Sequence, residues 1–223
     1  MKKASGTRRD TSLSREQIVS AAIALLDEAG IQGLTYQALA KSLATGAGAI
    51  YWHIANKSEL LTAACDHIVS HRLLSVSPDL PPKDMLRSLA LELFDMIDAH
   101  PWIGSGLMQG AADMPMARII DALGRQVSQL GVPHAMEWSA TSALFSYILG
   151  VAGQNAANAQ HARQHNLDRS TFLNDVASAW ERLDPAAFAF VQRIARQLPA
   201  HDDRADFLAG VDLILSGLTA TPA

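Results

Sequence analysis

Residues 35–61, TYQALAKSLATGAGAIYWHIANKSELL, decide the fold. Thr35 is placed to cap a short helix whose inner face is Ala38, Leu39 and the Ser42-Leu43 pair. Ala44-Thr45-Gly46 forms a turn, and residues 47–53 make a second short helix. Asn56 and Glu59, three positions apart, read as a capping box, so a longer helix starts at Lys57. Two short helices packed across so tight a turn form the unit that lays a helix into the major groove of DNA.

The flanking sequence completes that unit. Ser14 and Gln17 make a capping box, and Ile18, Ala22, Leu25, Leu26 and Ala29 recur at helical spacing behind it. Gly30 ends this first helix, because glycine takes the left-handed conformation common just past a helix terminus. Three helices then enclose one small core, with the third exposed on its outer face. Beyond residue 61 the pattern stays helical. Leu86, Leu89, Ala90, Leu93, Phe94 and Ile97 mark an amphipathic helix entered after Pro81-Pro82. Another spans about 114–130, closed by Gly131 and Pro133. A long, nearly uncharged helix runs from about 134 to 157, and the Asn/Gln/His-rich residues 154–166 read as its fraying end or a loop. Asp184-Pro185 reads as a cap with proline at the first helical position. Phe207, Leu208, Val211, Ile214, Leu215 and Leu218 form a wide stripe on a last helix.

The expectation is therefore an all-α chain. An N-terminal three-helix helix-turn-helix domain covers residues 1–61, of which 1–13 form a flexible basic tail. A larger helical domain covers residues 62–223. The composition suits this: 49% of the 223 residues are hydrophobic and 6% aromatic, as in an Ala/Leu-rich helical core. No apolar stretch approaches the roughly 18–20 residues needed to cross a membrane. The basic N-terminus is not followed by an apolar run, so no secretion signal is read. A single cysteine, Cys65, excludes an intrachain disulfide and fits a reducing cytoplasm. Net charge is −4, but residues 1–61 carry seven Lys/Arg against five Asp/Glu, and the remainder eleven against seventeen. A mildly basic, DNA-facing end is thus joined to an acidic body that DNA should avoid.

Leu39-Ala40, Leu43, Gly48, Ile50-Tyr51, His53, Lys57 and Leu60 together resemble the signature of the TetR family of bacterial transcriptional regulators. The YWH triplet at 51–53 followed by Asn56-Lys57 is especially similar to the tetracycline-repressor branch. The resemblance is specific over about residues 14–61 and generic afterwards. It implies that Thr35, Tyr51, His53 and Lys57 hold phosphates, which orients the protein but carries no sequence information. Base reading then falls to Tyr36, Gln37, Ala47, Gly48, Ala49 and Trp52. Ala47-Gly48-Ala49 offers no side-chain hydrogen bond, but its small residues permit close approach and methyl contact with thymine. Gln37 is the main polar reader, since its amide can bond an adenine edge in two places. Lys2, Lys3, Arg8 and Arg9 are either a solvated tail or a grip on the backbone or minor groove.

One such reader buries too little surface to select a site, so a homodimer on a near-palindromic double-stranded operator is expected. The helices at 134–153 and 203–218 suit dimerisation, the first through Ser139, Ala140, Ser142, Ala143, Gly150 and Gly153. With roughly 8–10 phosphates neutralised, affinity should fall with salt at a log–log slope of about −7 to −9. The family further implies a small-molecule effector bound among the middle helices. Phe94, His100, Trp102, Met108, Trp138, Phe145, Tyr147 and Trp180 are candidates for its lining, although aromatic and Met side chains also serve as plain core. His100-Pro101-Trp102 is the foremost of these, a polar and aromatic corner at a helix end. His100 also falls near a metal-binding histidine of the tetracycline-repressor branch. The eight histidines nevertheless show no HExxH or carboxylate-caged spacing, so no cofactor and no obligatory metal are expected. Nor is catalysis: no nucleophile elbow, phosphate-binding glycine loop or dinucleotide fingerprint occurs. The alternatives are a helical enzyme or a structural dimer carrying an appended or decayed helix-turn-helix.

Overall fold

The computed structural model describes residues 13–109, 114–165 and 167–219. Lys2, Lys3, Arg8 and Arg9 of the basic tail lie outside the described residues. Among those described there are eleven α-helices and no strand. The chain divides into two compact units between His67 and Ile68, a point inside the fourth helix.

The first unit contains α1 (Arg15–Gly33), α2 (Tyr36–Ser42), α3 (Ala47–Tyr51) and the start of α4 (Lys57–Leu74). Ser14 opens α1 reciprocally: Gln17 N donates to Ser14 Oγ at 3.1 Å and Ser14 N donates to Gln17 Oε1 at 2.9 Å. Gly30, at φ 64° and ψ −172°, breaks α1 before its final turn, as a glycine at that position allows. Ile18, Ala22, Leu26, Leu34, Leu39, Ile50, Ile54 and Leu60 are buried and form the core of the unit.

The turn after α2 is a Schellman motif. Thr45 N donates to Ala40 O at 3.0 Å and Ala44 N donates to Lys41 O at 3.2 Å, satisfying carbonyls that the helix end would leave open. The residue carrying the left-handed geometry is Ala44, with φ 49°. A Cβ there costs about 1 kcal/mol relative to glycine. Ala44→Gly should accordingly raise the melting temperature by a few degrees, and calorimetry on the purified variant would check it.

Helix α3 is shorter than the expected 47–53. Both His53 N, at 2.9 Å, and Ile54 N, at 3.1 Å, donate to Ile50 O. This shared acceptor tightens the last turn, so Trp52 and His53 leave the helix. The cap on α4 also differs in detail. Glu59 N donates to Asn56 Oδ1 at 2.8 Å, but the Glu59 carboxylate accepts from Ala55 N, also at 2.8 Å, one residue before the cap.

The second unit contains α5 (Pro82–Ala99), α6 (Trp102–Gln109), α7 (Met114–Gln129), α8 (His134–Gln164), α9 (Arg169–Glu181), α10 (Ala189–Ala195), a 3₁₀ turn (Leu198–Ala200) and α11 (Asp203–Thr219). Helix α5 packs on α7, α8 and α11, and α8 packs on α7 and α11. The buried residues Leu86, Ala90, Leu93 and Ile97 of α5, Leu144 and Ile148 of α8, and Phe207, Val211 and Leu215 of α11 supply much of this core. Arg204 clamps Asp95 with both Nε and Nη2 at 3.1 Å, and Arg87 pairs with Asp212, so α11 is also tied to α5 by charge.

Two expectations are corrected here. Helix α8 continues to Gln164, because residues 154–164 contain neither Gly nor Pro, and Ala156, Ala157, Ala159 and Ala162 carry high helix propensity. Asp184 caps only a single turn, its Oδ1 accepting from Ala186 N at 2.9 Å. Helix α10 begins afterwards, at Ala189.

Candidate nucleic-acid interface

Leu39 and Ile50 turn inward and are fully buried, which fixes how α2 and α3 are rotated about their own axes. The opposite faces are open. Thr35, Gln37, Gly48, Tyr51, Trp52, His53 and Lys57 are exposed, while Tyr36, Ala47 and Ala49 are half-buried. Trp52 is the extreme case, with 90% of its surface accessible. A singly exposed aromatic is ordinary on a protein surface, so this exposure shows only that the indole is open to meet a partner. Among the described residues, and apart from the backbone of α3 itself, no heavy atom lies within 4 Å of where a Cβ on Gly48 would stand.

Polar groups divide into those spent on the fold and those left for a partner. Thr35 Oγ1 accepts from Ala38 N at 3.1 Å and so caps α2. Its hydroxyl proton remains available to donate outward. Arg15 Nη2 meets Glu59 Oε1 at 3.1 Å, linking α1 to α4 at the surface. Tyr36, expected among the base readers, donates its hydroxyl to Ile54 O at 3.3 Å. Its ring stacks on that of Tyr51 with centroids 4.1 Å apart and planes 16° from parallel. Burial pushes the Tyr36 phenol above its ordinary range, with Tyr51 and Glu59 adding to the effect. The phenol therefore stays neutral and able to donate.

The candidate effector residues fall into separate places in the second unit. Phe94, Trp102 and Phe145 are buried, His100, Tyr147 and Trp180 are half-buried, and Met108 and Trp138 are exposed. Phe94 and Tyr147 are brought together by Phe207, which stacks on them at 4.6 and 5.7 Å. Tyr147 donates its hydroxyl to Phe207 O at 3.1 Å. A side chain at Gly210 would collide with the Tyr147 ring, so glycine permits this packing. His100 and Trp102 meet edge to face at 6.2 Å. Trp138 instead lines an open cavity of about 560 Å³ between α7 and α8, with Ile120, Gly124, Glu137 and Thr141. Phe207 was legible as part of an apolar stripe, but not as the residue joining two of the candidates. Nothing in the sequence paired Tyr36 with Tyr51.

A capped helix, a four-residue connection and a second helix with a bare outer face define a helix-turn-helix protein. The family model described as "Bacterial regulatory proteins, tetR family" matches residues 18–64. The solved structure of the transcriptional regulator SCO7222, a TetR from Streptomyces coelicolor, is 50% identical. It superposes with a TM-score of 0.84 over 93% of this chain and 98% of its own. An HTH-type transcriptional regulator of Saccharopolyspora erythraea is 27% identical across 96% of this chain and 88% of its own length. The class D tetracycline repressor protein of Escherichia coli is 43% identical over 58 residues, 26% of this chain and 27% of the repressor. The chain belongs to the TetR family of transcriptional regulators, with a DNA-binding part similar to that of the tetracycline repressors.

Proposed function

We propose that this protein is a ligand-responsive transcriptional repressor that binds a near-palindromic operator as a homodimer and is released by a small-molecule effector. The observation that carries the reading is the exposed surface of α2, α3 and the residues that lead from α3 into α4. Leu39 and Ile50 anchor the pair inward, while Gln37, Gly48, Trp52, His53 and Lys57 face solvent together. Phosphates are held by Thr35, Tyr51, His53 and Lys57. Bases are read by Gln37, Ala47, Gly48, Ala49 and Trp52, with Tyr36 bordering the group. The likeness of this part to the tetracycline repressors supports the repressor role.

Gel shift with DNA from beside the protein's own gene tests the reading, followed by release on adding candidate compounds. Absence of any shift in low salt, with cooperative thermal melting intact, would overturn it. Within this scheme Gln37→Ala should lose about 1–3 kcal/mol at one base pair of the operator and little on operators altered there. An equal loss on every operator variant would remove Gln37 as the polar reader.

The effector is proposed to enter among α5, α6, α7 and α8, where the buried and half-buried candidates Phe94, His100, Trp102, Phe145 and Tyr147 stand. For near-complete release it must favour the DNA-incompetent shape by about 10⁴-fold. Dimerisation is proposed through α8 and α11. Ser139, Ala143, Ser146 and Gly150 form an exposed small-residue line on α8, and Leu213 of α11 is 76% accessible.

A further inference from the structure

We propose that Tyr36 is a positioning residue: its stacked ring holds Tyr51 in the pose that meets the DNA backbone, so Tyr36 supports operator binding without reading a base. The inference rests on the regulator reading above. Tyr51 stands at the last position of a five-residue helix and is 53% accessible. So short an element gives its terminal side chain few neighbours to fix a rotamer. A free phenol there would lose rotational freedom on meeting a phosphate, and that loss subtracts from affinity.

Tyr36 removes much of that loss beforehand. Its ring lies nearly parallel to Tyr51 at 4.1 Å, an arrangement in which aromatic pairs attract beyond their buried area. It is itself held at both ends. Its backbone opens α2, directly after the Thr35 cap. Its hydroxyl donates to the carbonyl of Ile54, a fully buried residue. The chain beyond Ile54 is fixed in turn, because Ala55 N donates to the Glu59 carboxylate that also pairs with Arg15. Tyr51 thus leans on a side chain that spans from the start of α2 to the loop before α4. The same geometry explains why Tyr36 is unsuited to base reading, since its only polar atom is turned to the protein.

The test uses the full-length protein, its operator fragment and a double-mutant cycle read by fluorescence anisotropy. Tyr36→Phe keeps the stacked ring but gives up its tie to the Ile54 carbonyl, and should weaken binding by less than Tyr36→Met does. Tyr36→Met removes the ring and should weaken binding roughly three- to tenfold, equally on all operator variants. In a Tyr51→Ala background the same Tyr36→Met change should cost nothing further. Losses that add in the double variant, or that centre on one base pair, would show Tyr36 touching DNA itself and overturn the inference. Should Tyr36→Met fail to melt cooperatively, nuclear Overhauser contacts between the Tyr36 and Tyr51 rings in the unsubstituted protein give the decision, and their absence overturns it. A wild-type chain that binds no operator overturns the regulator reading along with this one, whereas additive losses in a binding protein overturn this one alone.

Discussion

Operator binding should weaken by roughly 10⁴- to 10⁵-fold when sodium chloride is raised from 50 to 200 mM. The magnitude follows from counterion release at about eight to ten phosphates, a log–log slope of about −7 to −9 acting over a fourfold change in salt. Only cations contribute fully to that slope. The proposed phosphate donors Thr35 and Tyr51 are neutral and would orient the backbone without displacing an ion. Among the described residues proposed to hold phosphates, Lys57 is the one fixed cation per subunit, and Lys41 is a second exposed cation, on α2. If the basic tail grips the DNA rather than standing in solvent, Lys2, Lys3, Arg8 and Arg9 add four cations, which with Lys57 make five per subunit and ten in a dimer. The slope therefore reports on the tail. Deleting residues 1–12 should flatten it to about −2 to −4 and leave discrimination between operator variants unchanged, because phosphate contacts carry no sequence information. Anisotropy titrations at four or five salt concentrations decide the matter. A slope that survives the deletion intact would place the tail away from DNA.

What the sequence made legible was local. Ser14 with Gln17 and Thr35 ahead of α2 each act within one helical turn, and the structure places each where the spacing put it. Gly30 likewise announced a break in α1 through its own backbone freedom, although α1 extends past it to Gly33. Features that depend on two balanced tendencies were harder. Polar residues 154–166 suggested a fraying end or a loop, yet the alanines among them carried the helix onward to Gln164. Helix α9 was not read from the sequence, although Asp168 caps it, its carboxylate accepting from Thr171 N at 3.1 Å. No apolar stripe followed it, since Ala177 is the one buried residue along its length.

Long-range pairings were out of reach. Tyr36 and Tyr51 are fifteen positions apart on different helices, and their stack depends on how α2 and α3 cross. The same holds for Phe207 closing on Phe94 and Tyr147 from the far end of the chain. Periodicity says which face of a helix is buried, but not which residue of another helix it meets. Most candidate effector residues rested on side-chain type, His100 and Trp102 also on their helix end, and the structure distributes the set between core and surface.

Gly150→Glu should convert the protein to a monomer and reduce operator affinity by about 10³-fold or more. Gly150 lies on the exposed face of α8, and a Cβ built there meets no heavy atom within 4 Å in its own chain. Glutamate also has the higher helix propensity, so the substitution should help α8 by roughly 0.5–1 kcal/mol. Any damage must then arise between chains. In the proposed dimer this position is repeated across a two-fold axis, where Ser139, Ala143 and Ser146 let the helices approach closely. Two carboxylates brought to such a line repel and lose hydration, and like charges opposed across an interface cost several kcal/mol. A separated subunit carries one reader, which cannot span both half-sites and falls toward the affinity of non-specific binding. Sedimentation velocity at micromolar concentration and gel shift on the same preparation would measure both consequences. Full dimer content with undiminished binding would place the subunit contact elsewhere than on this face of α8. A monomer that still bound tightly would instead separate pairing from recognition, which the geometry of a palindromic site does not allow.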